Sequence, residues 1–188
     1  QIAEVKRDGM YKIETITGIK HTPFVEELTI EAEAIGKDGY DHYMQKEIFE
    51  QATTIHDALR GHILPDGTVH LRGVEEMIES FNGARRLIIT ACGTSWIAGL
   101  VGEYFIENLA RIPVEVEYAS EFRYRNPVLD ERDIVIAISQ SGETADTIAA
   151  LELAKSRGAK TYGIVNAVGS SIARMTDAGS YMHVGPEI

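Results

Sequence analysis

Two short stretches of this chain carry side chains that could hold an anion. Ser139-Gln140-Ser141-Gly142-Glu143-Thr144 follows the apolar run Ile134-Val135-Ile136-Ala137-Ile138, and Cys92-Gly93-Thr94-Ser95 follows Leu87-Ile88-Ile89-Thr90-Ala91. An apolar strand that ends in a hydroxyl-rich turn and opens a helix aims unpaired backbone N–H groups, the positive end of the helix dipole and several hydroxyls at one spot. Ser139, Ser141 and Thr144 supply hydroxyls within one turn, and Gly142 permits close backbone approach. No Lys or Arg lies between Ile134 and Ala154, so neutral donors and the dipole must do the binding. That suits a phosphate monoester better than a triphosphate, and the ligand expected is a small phosphorylated metabolite.

Other chemistries fit less well. Ser139, Ser141 and Thr144, like Thr94 and Ser95 ahead of a helix beginning near Trp96, could simply cap helices, a role compatible with donating to a ligand. Glu143 and Asp146 suit the dipole of the first turn and are expected to face solvent. Cys92, at the end of a buried strand with no evident His or Asp partner, reads as a small core residue rather than a nucleophile. Gly93, Gly99 and Gly102 do not make G-x-G-x-x-G, and no G-x-x-x-x-G-K-[ST] occurs, so neither a nicotinamide cofactor nor a nucleoside triphosphate is supported. Gln140-Ser141-Gly142 is not the G-x-S-x-G of a serine hydrolase. His21, His42, His56, His62, His70 and His183 show no metal-ligand spacing. No cofactor and no metal are expected.

The elements that must position these turns are legible in outline. Alternating residues around Arg7-Asp8-Gly9-Met10 indicate a hairpin over residues 1–17. Residues 18–39, rich in Glu, read as a linker of little stable structure. Met44, Ile48, Ala52, Ile55 and Leu59 fall at helical spacing between Asp41 and Arg60, with Gly61 as a C-terminal cap, and a short helix is expected over about 74–81. Then strands at 87–91, 114–119, 134–138, 161–166 and 181–184 alternate with helices at 96–110, 144–157 and, as a short turn, 170–176. Near-continuous apolar strands between helices indicate a doubly wound α/β fold, a parallel sheet with helices on both faces. Right-handed crossovers bring both hydroxyl-rich turns to the carboxyl edge of that sheet, where ligands of open α/β sheets bind.

Composition sets the outer limits. The 188 residues allow one domain with a sizeable core plus smaller pieces, and both ends read as though cut from something longer. A formal net charge of −11, with no basic stripe, disfavours nucleic acid as a partner. One cysteine excludes an intrachain disulfide, and with no signal-like segment the expected location is the cytoplasm. No apolar run approaches the roughly 20 residues that span a bilayer, so no membrane association is expected.

Four segments together resemble one enzyme family. These are Ala91-Cys92-Gly93-Thr94-Ser95, Ala119-Ser120-Glu121-Phe122-Arg123-Tyr124-Arg125, Ser139 to Thr147, and His42-Tyr43-Met44-Gln45-Lys46-Glu47-Ile48. They are similar to those of the glutamine:fructose-6-phosphate aminotransferases (isomerizing), or glucosamine-6-phosphate synthases. The resemblance runs over essentially the whole chain. It implies that residues 1–17 are the last hairpin of a glutaminase domain, 18–39 a linker, and 40–188 the first of two flavodoxin-like sugar isomerase (SIS) subdomains. It also implies that Ser95, Ser139, Gln140, Ser141 and Thr144 hold the phosphate of fructose 6-phosphate or glucosamine 6-phosphate, that Thr94 contacts the sugar, and that the parent enzyme is a homodimer. The family's glutaminase cysteine and its isomerase Glu, His and Lys match no position of this chain, so no catalytic residue is assigned. Glu121 and Arg123 are left between a site role and a surface ion pair. The alternative function is a stand-alone SIS domain that senses a phosphorylated sugar, although the hairpin and the segment His42 to Glu47 have no place in such a sensor.

Overall fold

The structure, a computed structural model, describes residues 2–20, 22 and 36–185. The chain divides into two compact units, residues 1–32 and 33–188. In the first, β1 (Ile2–Val5) and β2 (Tyr11–Glu14) pair antiparallel with Val5 opposite Tyr11. The turn between them closes through Lys6 N–H to Met10 O at 2.8 Å and Met10 N–H to the Asp8 carboxylate at 3.1 Å. The hairpin expected over 1–17 forms; most of the expected linker lies outside the described residues.

The second unit begins with α1 (Tyr43–Leu59), α2 (Arg72–Glu76) and α3 (Ile78–Asn82). β3 (Arg86–Ala91), α4 (Gly93–Ala110), β4 (Val114–Tyr118), α5 (Ala119–Tyr124) and β5 (Asp133–Ser139) follow. The chain continues through α6 (Ala145–Ser156), β6 (Lys160–Val165), α7 (Ser171–Met175) and β7 (Ala178–Tyr181). All strands of the sheet are parallel, in the order β4-β3-β5-β6-β7. Strand order reverses between β3 and β5, which makes the crevice beyond their carboxyl ends the switch point of a doubly wound fold.

The pleat sorts the core into two layers. Ile88, Val135, Ala137 and Val165 pack on one face with Phe122 of α5, Leu151 of α6 and Ile172 of α7. Leu87, Ile89, Ile134 and Ile136 pack on the other with Met77, Val74 of α2, Phe81 of α3 and Ile106 of α4. At the amino edge, the fully buried Asp133 accepts two hydrogen bonds from one Arg85 guanidinium nitrogen at 2.7 and 2.9 Å and one from Arg86 at 3.2 Å. That network ties β3 to β5 at the end opposite the crevice.

Four expectations need correction. The helix expected over 74–81 is two short helices, broken at Met77, whose φ of −113° and ψ of 14° leave the helical region. α4 begins at Gly93, three residues before Trp96. Ala119 opens α5 instead of ending a strand, because Phe122 must reach the core and is wholly buried there. The last strand is 178–181, not 181–184; its Ala-Gly-Ser start carries little apolar signal but lets the edge strand lie close against Gly73 of α2. On α1 the apolar positions Met44, Ile48, Ile55 and Leu59 are exposed, and Lys46 is the buried residue of that helix.

Candidate functional site

Both hydroxyl-rich segments stand at the switch point. Beyond β3, Cys92 takes an extended N-cap conformation with no side-chain capping bond, and Gly93, Thr94 and Ser95 form the first turn of α4. Thr94 and Ser95 are therefore inside the helix and do not cap it, and the amides of that turn point out of the crevice-side end as orphan donors. Beyond β5, Ser139 is buried and Thr144 is the N-cap of α6, again without a side-chain capping bond. The capping role weighed for these hydroxyls is not the one they take.

Their geometry is more specific. The Ser139 hydroxyl accepts the Gly142 N–H at 3.0 Å and the Ser141 hydroxyl accepts the Glu143 N–H at 3.2 Å. Those two amides are thus consumed within the turn, and each serine that accepts one keeps a hydroxyl proton to donate. Ser139 and Thr144 hydroxyls lie 3.3 Å apart. Thr94, Ser95, Ser139, Gln140, Ser141 and Thr144, with Cys92, Gly93 and Ile138, line one cavity of about 270 Å³. All six residues singled out in the sequence meet in it, and no Lys or Arg is among its described walls.

The turn is braced from behind. Gly142 has φ +65°, and a Cβ there would lie 2.0 Å from the Ser170 hydroxyl, so only glycine fits. The Gly142 carbonyl accepts Ile172 N–H at 3.0 Å, and the Gln140 carbonyl accepts the N–H groups of Asn166 and Ala167, both at 3.2 Å. Glu143 does not simply face solvent: its carboxylate accepts the Ser171 N–H at 2.6 Å at the start of α7. Hydrogen bonding by Ser171, from side chain and backbone, with Arg174 nearby, holds that carboxyl below its ordinary range. Asp146 also has a partner. It accepts from Arg123 at 2.8 Å, joining α5 to α6, so Arg123 pairs with Asp146 and not with Glu121.

A second cavity, of about 380 Å³, shares Thr94, Ser95, Ile138 and Gln140 with the first. Its remaining wall comes from Glu47, Glu50 and Thr54 of α1, Ala98 of α4, and Met182 and Val184 beyond β7. Sequence reasoning missed the α1 residues. Their spacing of three and four places them on one helix face, but helical spacing alone does not say which face meets a cavity. Among the described residues no group of three or more His, Cys, Asp or Glu could hold a metal ion, and no helix is long and apolar enough to cross a membrane.

A parallel sheet of this order with hydroxyl-rich turns at its switch point defines a sugar-isomerase type of domain, and residues 80–188 match the SIS domain family. The chain belongs to that family. Over all of its length it is 57% identical to glutamine–fructose-6-phosphate aminotransferase [isomerizing] of Bacteroides thetaiotaomicron and 53% identical to the protein of the same name from Chlorobaculum tepidum. It spans 31% of the length of each of these curated relatives. Among solved structures, the C-terminal domain of glucosamine-fructose-6-phosphate aminotransferase from Francisella tularensis superposes with a TM-score of 0.73 at 39% identity, covering 81% of this chain and 43% of that one.

Proposed function

We propose that this chain supplies the phosphate grip of an enzyme that converts fructose 6-phosphate and glutamine to glucosamine 6-phosphate and glutamate. The observation that carries the reading is the single cavity into which Thr94, Ser95, Ser139, Gln140, Ser141 and Thr144 converge without a basic residue. Neutral donors at two helix starts fit a monophosphate, which needs several hydrogen bonds and no counter-charge of its own. Ser95, Ser139, Gln140, Ser141 and Thr144 hold the phosphate in this reading, and Thr94 contacts the sugar. No catalytic residue is assigned in this chain.

The similarity to the aminotransferases extends over residues 1–79, outside the SIS match, which favours the enzyme over a stand-alone sensor. Residues 1–17 are then the end of a glutaminase domain, 18–39 a linker and 40–188 the first SIS subdomain. A homodimer accords with the exposed apolar stripe of Ile97, Val101, Phe105 and Leu109 on α4. The acidic balance accords with a cytoplasmic protein that has no nucleic-acid partner.

Ser141 offers the test. A hydrogen bond to a charged group is worth roughly 1.5–3 kcal/mol, so Ser141→Ala should weaken fructose 6-phosphate binding by about 10- to 100-fold. Titration calorimetry on the native chain and the variant measures it, and an unchanged affinity removes Ser141 from the site.

A further inference from the structure

We propose that Asn166 is a positioning residue of the crevice: its side-chain amide clasps the chain beyond β7 and so sets the wall against which the sugar of a bound sugar phosphate lies. The proposal rests on the phosphate-holding role above and adds what places the sugar. The two cavities share Thr94, Ser95, Ile138 and Gln140, so a phosphate seated among the hydroxyls has its sugar in the larger one. Met182 and Val184 form part of the wall there.

Neither residue belongs to a helix or a strand, and their position needs a cause. The Met182 N–H donates to the Val165 carbonyl at 2.9 Å, which carries the ladder between β6 and β7 one residue past the strand. His183 then takes φ +52°, a left-handed conformation uncommon outside glycine, and the chain turns out of the ladder. Such a residue stays there only where its surroundings hold it. Asn166 does the holding: its Oδ1 accepts the Val184 N–H at 2.9 Å, and its Nδ2 donates to the Gly185 carbonyl. One side-chain amide serves both groups because it carries a donor and an acceptor side by side.

The same residue reaches the phosphate side. The Asn166 backbone N–H donates to the Gln140 carbonyl at 3.2 Å, and Gln140 lines both cavities. Asn166 thus stands between the turn that holds the phosphate and the segment that walls the sugar, and it fixes their spacing. A ligand long enough to touch both ends depends on that spacing, whereas one that fills only the hydroxyl end does not. The backbone bond to Gln140 survives replacement of the side chain, so the turn keeps its brace when the clasp is removed.

Fructose 6-phosphate and inorganic phosphate, each titrated into the native chain and into Asn166→Ala by NMR, separate the two ends. Loss of the clasp should weaken fructose 6-phosphate about tenfold, the size of one or two net hydrogen bonds, and leave inorganic phosphate affinity unchanged. Ser141→Ala gives the contrast, weakening both ligands. Hydrogen exchange on Asn166→Ala should show the Val184 amide losing protection while Met182, held by Val165, keeps its own. An unchanged fructose 6-phosphate affinity, an equal loss for both ligands, or a Val184 amide that stays protected overturns the proposal and leaves the phosphate grip standing. Failure of both ligands to bind the native chain overturns the phosphate grip itself, and this proposal with it.

Discussion

Ser139 and Ser141 each accept an amide of their own turn, and Gly142 and Glu143, which supply those amides, hold the turn against α7 from outside the cavity. The placing of these hydroxyls in one turn was legible in the sequence, because an apolar run that stops at Ser139 and is followed by Ser141, Gly142 and Thr144 marks a strand-to-helix turn. The bracing was not, since Ser170 and Ser171 lie nearly thirty residues downstream and no spacing rule links them to Gly142 and Glu143. Glu143 gives this bracing a pH signature. Its carboxyl is held low in the folded chain, so its contribution is complete above the unfolded value of about 4.3 and is lost as pH falls through the lower folded value. Glu143→Gln should therefore lower the melting temperature at pH 6, and the gap from the native chain should close as pH drops below about 4. Melting curves across that range check it, and a gap independent of pH would show that the carboxylate is not what braces the turn.

Among the elements, the parallel strands were the easiest to read, because burial on both faces writes them as unbroken runs of Ile, Val and Leu. α5, β7 and the break between α2 and α3 were hidden for a common reason: each is short and shaped by tertiary contact. Phe122 pulls a six-residue helix onto the sheet, and Gly179 allows β7 to lie against Gly73. The amino edge of the sheet is held by the Asp133 network with Arg85 and Arg86. Removing one partner of a buried ion pair costs about 3–5 kcal/mol. Asp133→Ala should fall at the low end, near 3 kcal/mol, because the Arg85 side chain left behind is 38% exposed and can be hydrated. Urea unfolding measures the loss, and since the crevice lies at the other end of the strands, fructose 6-phosphate affinity in the folded variant should be unchanged. A large affinity loss would mean that the sheet does not insulate its two edges.

On the scale of the molecule, two apolar helix faces are exposed, Met44, Ile48, Ile55 and Leu59 on α1 and Ile97, Val101, Phe105 and Leu109 on α4. Helical periodicity shows that a helix has two faces; it does not show which one meets the chain's own core. If the α4 stripe meets a second copy, as proposed, the native chain should sediment as a dimer and Val101→Glu, a surface change, as a monomer. Equal sedimentation of the two would leave the stripe to another partner. The function proposed for the hydroxyl-rich crevice requires that it bind through phosphate. Calorimetry with fructose 6-phosphate and with unphosphorylated fructose decides this directly, because the two ligands share every group except the one the crevice is argued to hold. The phosphorylated sugar should bind at least tenfold tighter, since hydrogen bonds from several neutral donors to a charged group exceed about 1.4 kcal/mol together. Equal affinity for the two sugars would contradict the account.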